Sequence, residues 1–201
     1  MKYYQELTLI PQDEDWSPYL MWSQLYIQLH LAFVEHKDAQ EQVPYGVSFP
    51  QYRLDYKADR TFMTLGAKLR IFAHTAEQLE QLNMPKWLDR LLDYVHVTRV
   101  QAVPQDKVIG YLTVSRNRMK PFHPKRNASY AARRGMSESA AHQHFIESSR
   151  LKPLPFITLK SLTNGQVFSL NIDQKPADEA CQGMFSTFGF SATSTVPHWK
   201  S

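Results

Sequence analysis

The order of periodic segments in the first half of the chain restricts its fold more than any other feature. Strands are predicted where aromatic and β-branched residues cluster or alternate with polar ones, at residues 2–10, 45–50, 68–73 and 95–100. A helix is predicted from the Ser17 cap and Pro18 to about Lys37, and a second helical stretch begins at Thr75. The predicted order is therefore β-α-β-β-α-β.

This order is that of a ferredoxin-like domain, an arrangement that RNA-recognition modules also use. Those modules stack bases on the aromatic residues of a Lys/Arg-Gly-Phe/Tyr-Gly/Ala-Phe-Val strand, and no segment of this chain matches that pattern. We therefore predict an α+β protein with a ferredoxin-like first domain whose sheet is not the main RNA platform.

The second half is predicted to form another α+β domain. Its helices are predicted at residues 124–134 and 137–149, and its strands at residues 108–114, 156–159, 166–172 and 184–191, with a hairpin turn at Asn164-Gly165. Pro104 and its polar neighbours suggest a linker, so the sequence predicts one domain at residues 1–105 and a second, with an arginine-bearing helix, at residues 106–201.

Charge is distributed unevenly between these halves. Residues 1–105 hold 10 Lys or Arg and 13 Asp or Glu, a net charge of −3, whereas residues 106–201 hold 13 and 6, a net charge of +7. A basic surplus confined to one half is typical of phosphate binding, because neutralising backbone phosphates releases counterions. The charge does not indicate sequence specificity.

A basic segment without any acidic residue runs from Arg116 to Arg134. At helical spacing Arg126, Tyr130 and Arg133 fall on one face, so the predicted helix can present guanidinium groups to phosphates. A solvated helix face is the alternative, but such a face normally mixes charges of both signs. The residues of this segment that we predict to contact nucleic acid, and that become RNA-binding residues under the resemblance given below, are Arg116, Arg118, Lys120, Lys125, Arg126, Tyr130, Arg133 and Arg134.

His30 lies at the border of the apolar face of the first predicted helix. One interpretation is structural, a partly buried ring with one nitrogen bonded. The other is catalytic, because an imidazole titrates near neutral pH and can take the proton of a ribose 2′-hydroxyl, which then attacks the adjacent phosphorus. Such a transesterification needs no metal, no cofactor and no covalent enzyme intermediate.

Ser161, Thr163 and Phe168 lie around the predicted hairpin turn. Ser and Thr beside an Asn-Gly turn normally serve the turn itself. The alternative is that a hydroxyl orients the 2′-oxygen for in-line attack. Phe168 alternates with apolar residues and fits a core position, although an aromatic residue at a strand start can also stack on a base or base pair.

The protein is expected to be cytoplasmic, without a membrane partner. It has no run of roughly 20 apolar residues, and its start lacks the apolar segment of a secretory signal. Its one cysteine, Cys181, has no cysteine or closely spaced histidine beside it and is expected to be a buried small hydrophobe.

Taken in order, several segments resemble the type I-F CRISPR repeat endoribonuclease family, a subunit of the CRISPR surveillance complex. The resemblance spans both halves of the chain. It rests on Leu25-Tyr26-Ile27-Gln28-Leu29-His30, Gly46-Val47-Ser48-Phe49-Pro50, Leu65-Gly66-Ala67-Lys68-Leu69-Arg70-Ile71, Val114-Ser115-Arg116, Leu154-Pro155-Phe156-Ile157-Thr158-Leu159, Gly165-Gln166-Val167-Phe168 and Phe188-Gly189-Phe190-Ser191.

The resemblance implies cleavage of a CRISPR repeat hairpin at the base of its stem, with a 2′,3′-cyclic phosphate product and retention of the hairpin within the complex. By position, His30 matches the family's catalytic histidine, Ser161 its catalytic serine and Thr163 a second hydroxyl residue nearby. Phe168 matches an aromatic residue under the lowest base pair, and Arg116 matches an arginine that contacts a stem base. The helix arginines match its phosphate and base contacts.

The chain departs from the family pattern at Phe188, Arg118 and Tyr130. Phe188 stands where well-known members have a tyrosine next to the histidine, so only packing against the imidazole can remain. Arg118 stands where those members have a base-reading glutamine, and arginine favours guanine. Tyr130 also stands where another arginine is expected, so the recognised stem sequence is expected to differ.

Two other functions remain open at this stage. A non-cleaving module would keep the RNA contacts while His30 is structural. A basic DNA-binding protein is disfavoured, because no helix-turn-helix or zinc pattern appears in the sequence.

Overall fold

The computed structural model of the chain describes residues 1–12, 17–56, 61–117, 124–141, 143, 153–161 and 163–200, apart from the side chains of residues 124–127. Its helices are α1 (Pro18–Glu35), α2 (Ala76–Leu82), α3 (Met84–Trp87) and α4 (Pro124–Arg134). Its strands are β1 (Tyr3–Leu9), β2 (Gln42–Val43), β3 (Gly46–Ser48), β4 (Arg53–Tyr56), β5 (Thr61–Thr64), β6 (Lys68–Ala73), β7 (Val95–Val97), β8 (Gln101–Ala102), β9 (Gly110–Asn117), β10 (Phe156–Lys160), β11 (Val167–Ala177), β12 (Phe185–Ser186) and β13 (Ser191–His198). Within these ranges, no helix combines the length and apolarity that a bilayer crossing requires.

The first sheet has the strand order β3-β6-β1-β7, and β8 pairs with the start of β1. All of these pairs are antiparallel, with Leu7 opposite Leu69 and also opposite Val97. Alternate residues of β1, Leu7 and Leu9 among them, are buried on one face. Helix α2 packs against β1 and β6. Antiparallel sheets together with helices confirm the predicted α+β class.

The opposite face of this sheet is covered by the end of the chain. Glu6 on β1 lies opposite Arg70 on β6, and the Arg70 guanidinium donates to the Glu6 carboxylate at 2.8 Å and to the Trp199 carbonyl at 3.1 Å. The same guanidinium lies 3.9 Å from the centre of the Trp199 ring. Phe72, two residues after Arg70 and therefore on the same face of β6, is fully buried. Because Phe72 is covered, it cannot serve as an exposed stacking residue like those of an RNA-recognition module.

The second sheet has the strand order β10-β11-β9-β13. Its buried residues, such as Leu112, Leu159 and Ile172, belong to the same hydrophobic cluster as Leu7 and Leu29. Helix α1 packs against β10 and α3. Helical spacing predicted an apolar face for α1, and its buried residues do recur at that spacing: Met21, Trp22, Leu25, Tyr26, Leu29, Ala32 and Phe33.

The described chain forms two compact units. One comprises residues 1–116 and 154–201, and the other comprises residues 117–153. The larger unit contains both sheets and α1 to α3, and the smaller contains α4. The predicted division into one domain at residues 1–105 and a second at residues 106–201 stays a prediction.

Three local predictions are wrong. The final strand is β13 at Ser191–His198 rather than residues 184–191, because residues 187–190 form a turn between β12 and β13. Cys181 is exposed rather than buried. Ser17 occupies the cap position of α1, but its side chain makes no capping hydrogen bond. Of the helix predicted at residues 137–149, residues 138–141 and 143 are helical, and residues 142 and 144–149 lie outside the described part of the chain.

Candidate active site

Helix α1 carries His30 at the edge of its buried face. Its neighbour Leu29 is fully buried, as are Tyr26 one turn earlier and Phe33 nearly one turn later. His30 itself is only partly buried. The packing of α1 therefore fixes the backbone position of His30, while part of its imidazole ring stays accessible.

The turn between β12 and β13 fixes the imidazole from its other side. Nδ1 of His30 lies 2.8 Å from the backbone carbonyl oxygen of Thr187. A carbonyl oxygen can only accept, so Nδ1 must carry the hydrogen. In the neutral ring Nε2 then has a free lone pair and can act as a base.

Phe188, from the same turn, lies flat against the imidazole. The ring centroids are 4.1 Å apart and the planes differ by 2°. This parallel contact restricts tilting of the imidazole, because a tilted ring would lose contact with the Phe188 face. No phenol hydroxyl is present at this position, so the contribution of Phe188 is packing.

The sharpness of this turn depends on Gly189. Its φ angle is +74°, and a Cβ atom at this position would lie 2.6 Å from Val47 Cγ1 and 2.9 Å from Phe33 Cε2. The backbone NH of Val47 donates to the Gly189 carbonyl at 3.2 Å. Only glycine fits, because another residue would be strained and would also collide with two buried side chains.

Ser161 directly follows β10 and forms the base of the hairpin to β11. Its backbone NH donates to the Gln166 carbonyl at 2.8 Å, and the NH of Gly165 donates to the Ser161 carbonyl at 2.9 Å. The Ser161 hydroxyl accepts from the backbone NH of Asn164 at 3.4 Å, so it serves the turn. A hydroxyl that accepts one bond can still donate its own hydrogen. Thr163 is exposed in the turn.

Helix α1 packs against β10, and the rings of Tyr19 on α1 and Phe156 on β10 lie 6.4 Å apart. His30 lies eleven positions after Tyr19, and Ser161 lies five positions after Phe156. That the His30 imidazole and the Ser161 hydroxyl meet in one site stays a prediction.

Arg116 and Phe168 form a second feature of the larger unit. The Arg116 guanidinium carbon lies 5.0 Å from the centre of the Phe168 ring, a cation–π distance. Phe168 is partly buried against the hydrophobic core. The ring is thus held by the core and by the guanidinium while part of its surface stays accessible.

The other predicted RNA-binding residues belong to the smaller unit or lie outside the description. In α4, Arg133 and Arg134 are exposed, and the Arg134 guanidinium lies 5.8 Å from the centre of the Tyr130 ring. The side chains of Lys125 and Arg126 lie outside the described part of the chain, as do all atoms of Arg118 and Lys120. The bounds of α4 agree with the helix predicted at residues 124–134.

Comparison with known proteins decides the family. The family model described as CRISPR-associated protein (Cas_Csy4) matches residues 4–199. The chain belongs to the Cas_Csy4 family. This membership confirms the resemblance to the type I-F CRISPR repeat-processing endoribonucleases.

Two curated relatives of this Cas_Csy4 family member carry the name CRISPR-associated endonuclease Cas6/Csy4. One is from Escherichia coli (strain UTI89 / UPEC), 30% identical over 200 residues, with 98% of this chain and 99% of the relative covered. The other is from Pseudomonas aeruginosa (strain UCBPP-PA14), 33% identical over 199 residues, with the same shares covered. The similarity therefore extends over nearly the whole length of each protein.

Two residues beside His30 in this Cas_Csy4 family member were not identified from the sequence. Thr187 contributes only its backbone carbonyl, which no side-chain pattern can indicate. Tyr26 was assigned to the helix without a role, yet its hydroxyl donates to the Phe188 carbonyl at 2.9 Å. The separation of four positions between Tyr26 and His30 was the available signal, because such residues share a helix face.

Proposed function

We propose that this protein is a metal-independent endoribonuclease that cleaves CRISPR repeat hairpins in precursor RNA at the base of the stem. The observation that carries the proposal is the hydrogen bond from Nδ1 of His30 to the Thr187 carbonyl, which leaves Nε2 as a base on an accessible ring. Membership of a family whose curated relatives are named endonucleases supports it.

In the proposed reaction, Nε2 of His30 takes the proton of a ribose 2′-hydroxyl. The 2′-oxygen attacks the adjacent phosphorus, the bond from phosphorus to the 5′-oxygen breaks, and that oxygen leaves and takes up a proton from water. The products are a 2′,3′-cyclic phosphate and a 5′-hydroxyl. Ser161 donates its hydroxyl hydrogen to hold the ribose in line, with Thr163 beside it, and such positioning lowers the barrier.

RNA binding is proposed to involve both units of the protein. In the larger unit, Phe168 stacks under the lowest base pair and Arg116 contacts a stem base. In the smaller unit, α4 contributes Tyr130, Arg133 and Arg134, together with the remaining basic residues of the segment. The first sheet has the strand order expected of a ferredoxin-like domain, and we include that fold in the proposal.

After cleavage the protein is proposed to keep the hairpin and to join the other subunits of a surveillance complex in the cytoplasm. The extended positive segment supports retention, because many phosphate contacts make dissociation slow at moderate salt. Retention would appear as a single turnover, followed by a stable complex that elutes with the cleaved hairpin.

The reaction is tested with a repeat hairpin that carries a single 2′-deoxy nucleotide upstream of the scissile phosphate. Cleavage of this RNA is expected to stop, because the nucleophile is missing, whereas binding stays unchanged. Added EDTA is expected to leave cleavage of the all-ribose hairpin unaltered. Cleavage of the deoxy hairpin, or loss of cleavage in EDTA, would contradict the mechanism.

A non-cleaving RNA-binding module is the second candidate. The partly buried ring of His30, bonded through one nitrogen, is also the geometry of a structural histidine. On this alternative the protein protects or assembles RNA, and the all-ribose hairpin remains intact when it is incubated with the protein.

Phe168→Leu is expected to weaken hairpin binding by roughly 1–3 kcal/mol, the usual contribution of one stacked base. Leucine keeps an apolar side chain against the core but loses the aromatic face. The measurement is the dissociation constant for a cleavage-resistant 2′-deoxy hairpin, at one fixed salt concentration.

Phe62→Leu is the matched control for this prediction. The Arg53 guanidinium lies 5.3 Å from the centre of the exposed Phe62 ring, so this pair repeats the cation–π geometry elsewhere on the protein. The control is expected to bind the hairpin as the unaltered protein does. Equal affinities of the Phe168 and Phe62 variants would rule out base stacking on Phe168.

A further inference from the structure

Helix α1 holds the turn between β12 and β13 through two side chains one turn apart. Tyr26 donates its hydroxyl to the carbonyl of Phe188, and His30 donates Nδ1–H to the carbonyl of Thr187. The two donors are four positions apart on one helix face, and the two acceptors are consecutive in the chain. A displacement of either carbonyl therefore displaces the other.

The two hydrogen bonds differ in how firmly they are anchored. Tyr26 is fully buried, with its ring 5.9 Å from the Phe190 ring and 6.3 Å from the Phe49 ring. Burial raises the pKa of its phenol well above the ordinary value, so the hydroxyl stays protonated and remains a donor. His30 is only partly buried, so its hydrogen bond is less shielded from solvent than that of Tyr26.

The side chain of Ser186 closes the turn from within. Its hydroxyl oxygen accepts from the backbone NH groups of Phe188 at 3.4 Å and Phe190 at 3.3 Å, and the NH of Gly189 donates to the Ser186 carbonyl at 2.7 Å. These bonds shape the turn but do not attach it to α1. Tyr26 and His30 attach the turn to α1, and the Val47 bond to Gly189 described above attaches it to β3.

We propose that Tyr26 is a positioning residue for His30, because its hydroxyl holds the turn whose Thr187 carbonyl selects the tautomer of the imidazole. With the carbonyl in place, the hydrogen stays on Nδ1 and Nε2 can accept the 2′-hydroxyl proton. Without it both tautomers become accessible, and the one with hydrogen on Nε2 cannot act as the base. This inference rests on the catalytic role proposed for His30.

The test compares Tyr26→Phe with Tyr45→Phe in the full chain. Tyr45 is the matched control, because it is also buried and also donates its hydroxyl to a backbone carbonyl, that of Gln78 at 3.0 Å. The tautomer of His30 is read from long-range ¹H–¹⁵N spectra of the RNA-free protein at alkaline pH. The His30 signal is assigned by its loss in His30→Ala.

Tyr26→Phe is expected to convert a His30 signal typical of the Nδ1–H tautomer into one averaged over both tautomers. The cleavage rate at saturating RNA is expected to fall roughly 10- to 100-fold, with an unchanged dissociation constant for the hairpin. Tyr45→Phe is expected to leave the tautomer and the rate as they are. An unchanged Nδ1–H signal in Tyr26→Phe would overturn the inference.

Ser186→Ala keeps the test decisive if Tyr26→Phe does not fold. It loosens the same turn without altering the packing of α1, and it is expected to shift the tautomer in the same direction. An unchanged tautomer in this variant would overturn the role of the turn. Failure of the unaltered protein to cleave would refute the proposed function. The spectra need no RNA, so the tautomer result would still decide this inference.

Discussion

His30→Ala is expected to slow hairpin cleavage by about 1,000-fold, within the range of roughly 10² to 10⁴ that general acid–base catalysis contributes. Alanine removes Nε2, the proposed acceptor of the 2′-hydroxyl proton, and keeps the helix. The dissociation constant for the hairpin is expected to stay unchanged, because the proposed RNA contacts lie elsewhere. Single-turnover cleavage and equilibrium binding, measured on the same RNA, separate the two effects.

His36→Ala is the matched control. His36 directly follows α1, and its Nδ1 also lies at hydrogen-bond distance from a backbone carbonyl, that of Ala32 at 2.9 Å. It belongs to no proposed site, so the variant is expected to cleave at the unaltered rate. If His30→Ala cleaves as fast as His36→Ala, the histidine is structural and the binding-module alternative gains.

Glu6→Gln is expected to lower the free energy of unfolding by about 3 kcal/mol, the order found when one partner of a buried ion pair is removed. Only 3% of the Arg70 side chain is exposed, and 13% of the Glu6 side chain. Glutamine removes the carboxylate charge that the Arg70 guanidinium contacts, while the guanidinium stays buried. Lys68, which donates to Glu6 at 2.6 Å, loses the same partner but is less buried. Urea unfolding measures the loss.

Glu41→Gln is the control for this prediction, because it removes a carboxylate that lies 2.7 Å from Lys37 on the exposed surface. Surface pairs contribute little, so the urea midpoint is expected to change hardly at all. Similar losses in both variants would contradict a special role of the buried pair in joining the chain end to the first sheet.

The contribution of Glu6 is also expected to depend on pH. Partial burial opposes ionisation of its carboxyl, but hydrogen bonds from Lys68 and Arg70 and their positive charges outweigh burial and hold the pKa below the ordinary 4.5. A lowered folded-state pKa stabilises the protein above the unfolded-state pKa, and this stability is lost as pH falls through the folded-state value. The difference in urea midpoint between the unaltered protein and Glu6→Gln is therefore expected to shrink below pH 4.5.

Periodicity in the sequence was sufficient for the long elements. The strands β1, β6, β9 and β11 and the helices α1 and α4 lie close to where alternation or helical spacing predicted them. Shorter pieces such as β2, β8 and the β4–β5 hairpin were missed, because two to four residues give no measurable period.

The turn beside His30 was misread for a specific reason. Phe185, Phe188 and Phe190 are interleaved with small residues, a composition that favours a strand. The turn forms because Gly189 fits between Val47 and Phe33, residues far away in the chain. Ser186 and Gly189 were the only local signs of it.

Charge distribution, residue type and order along the chain are properties of the sequence alone. They were enough to predict the basic segment, the candidate residues His30, Ser161 and Phe168, and the family. They could not decide the tautomer of His30, because the deciding carbonyl belongs to Thr187, 157 positions along the chain. Nor could they show that Trp199 covers the first sheet. Both depend on backbone groups and packing that come together only when the chain folds.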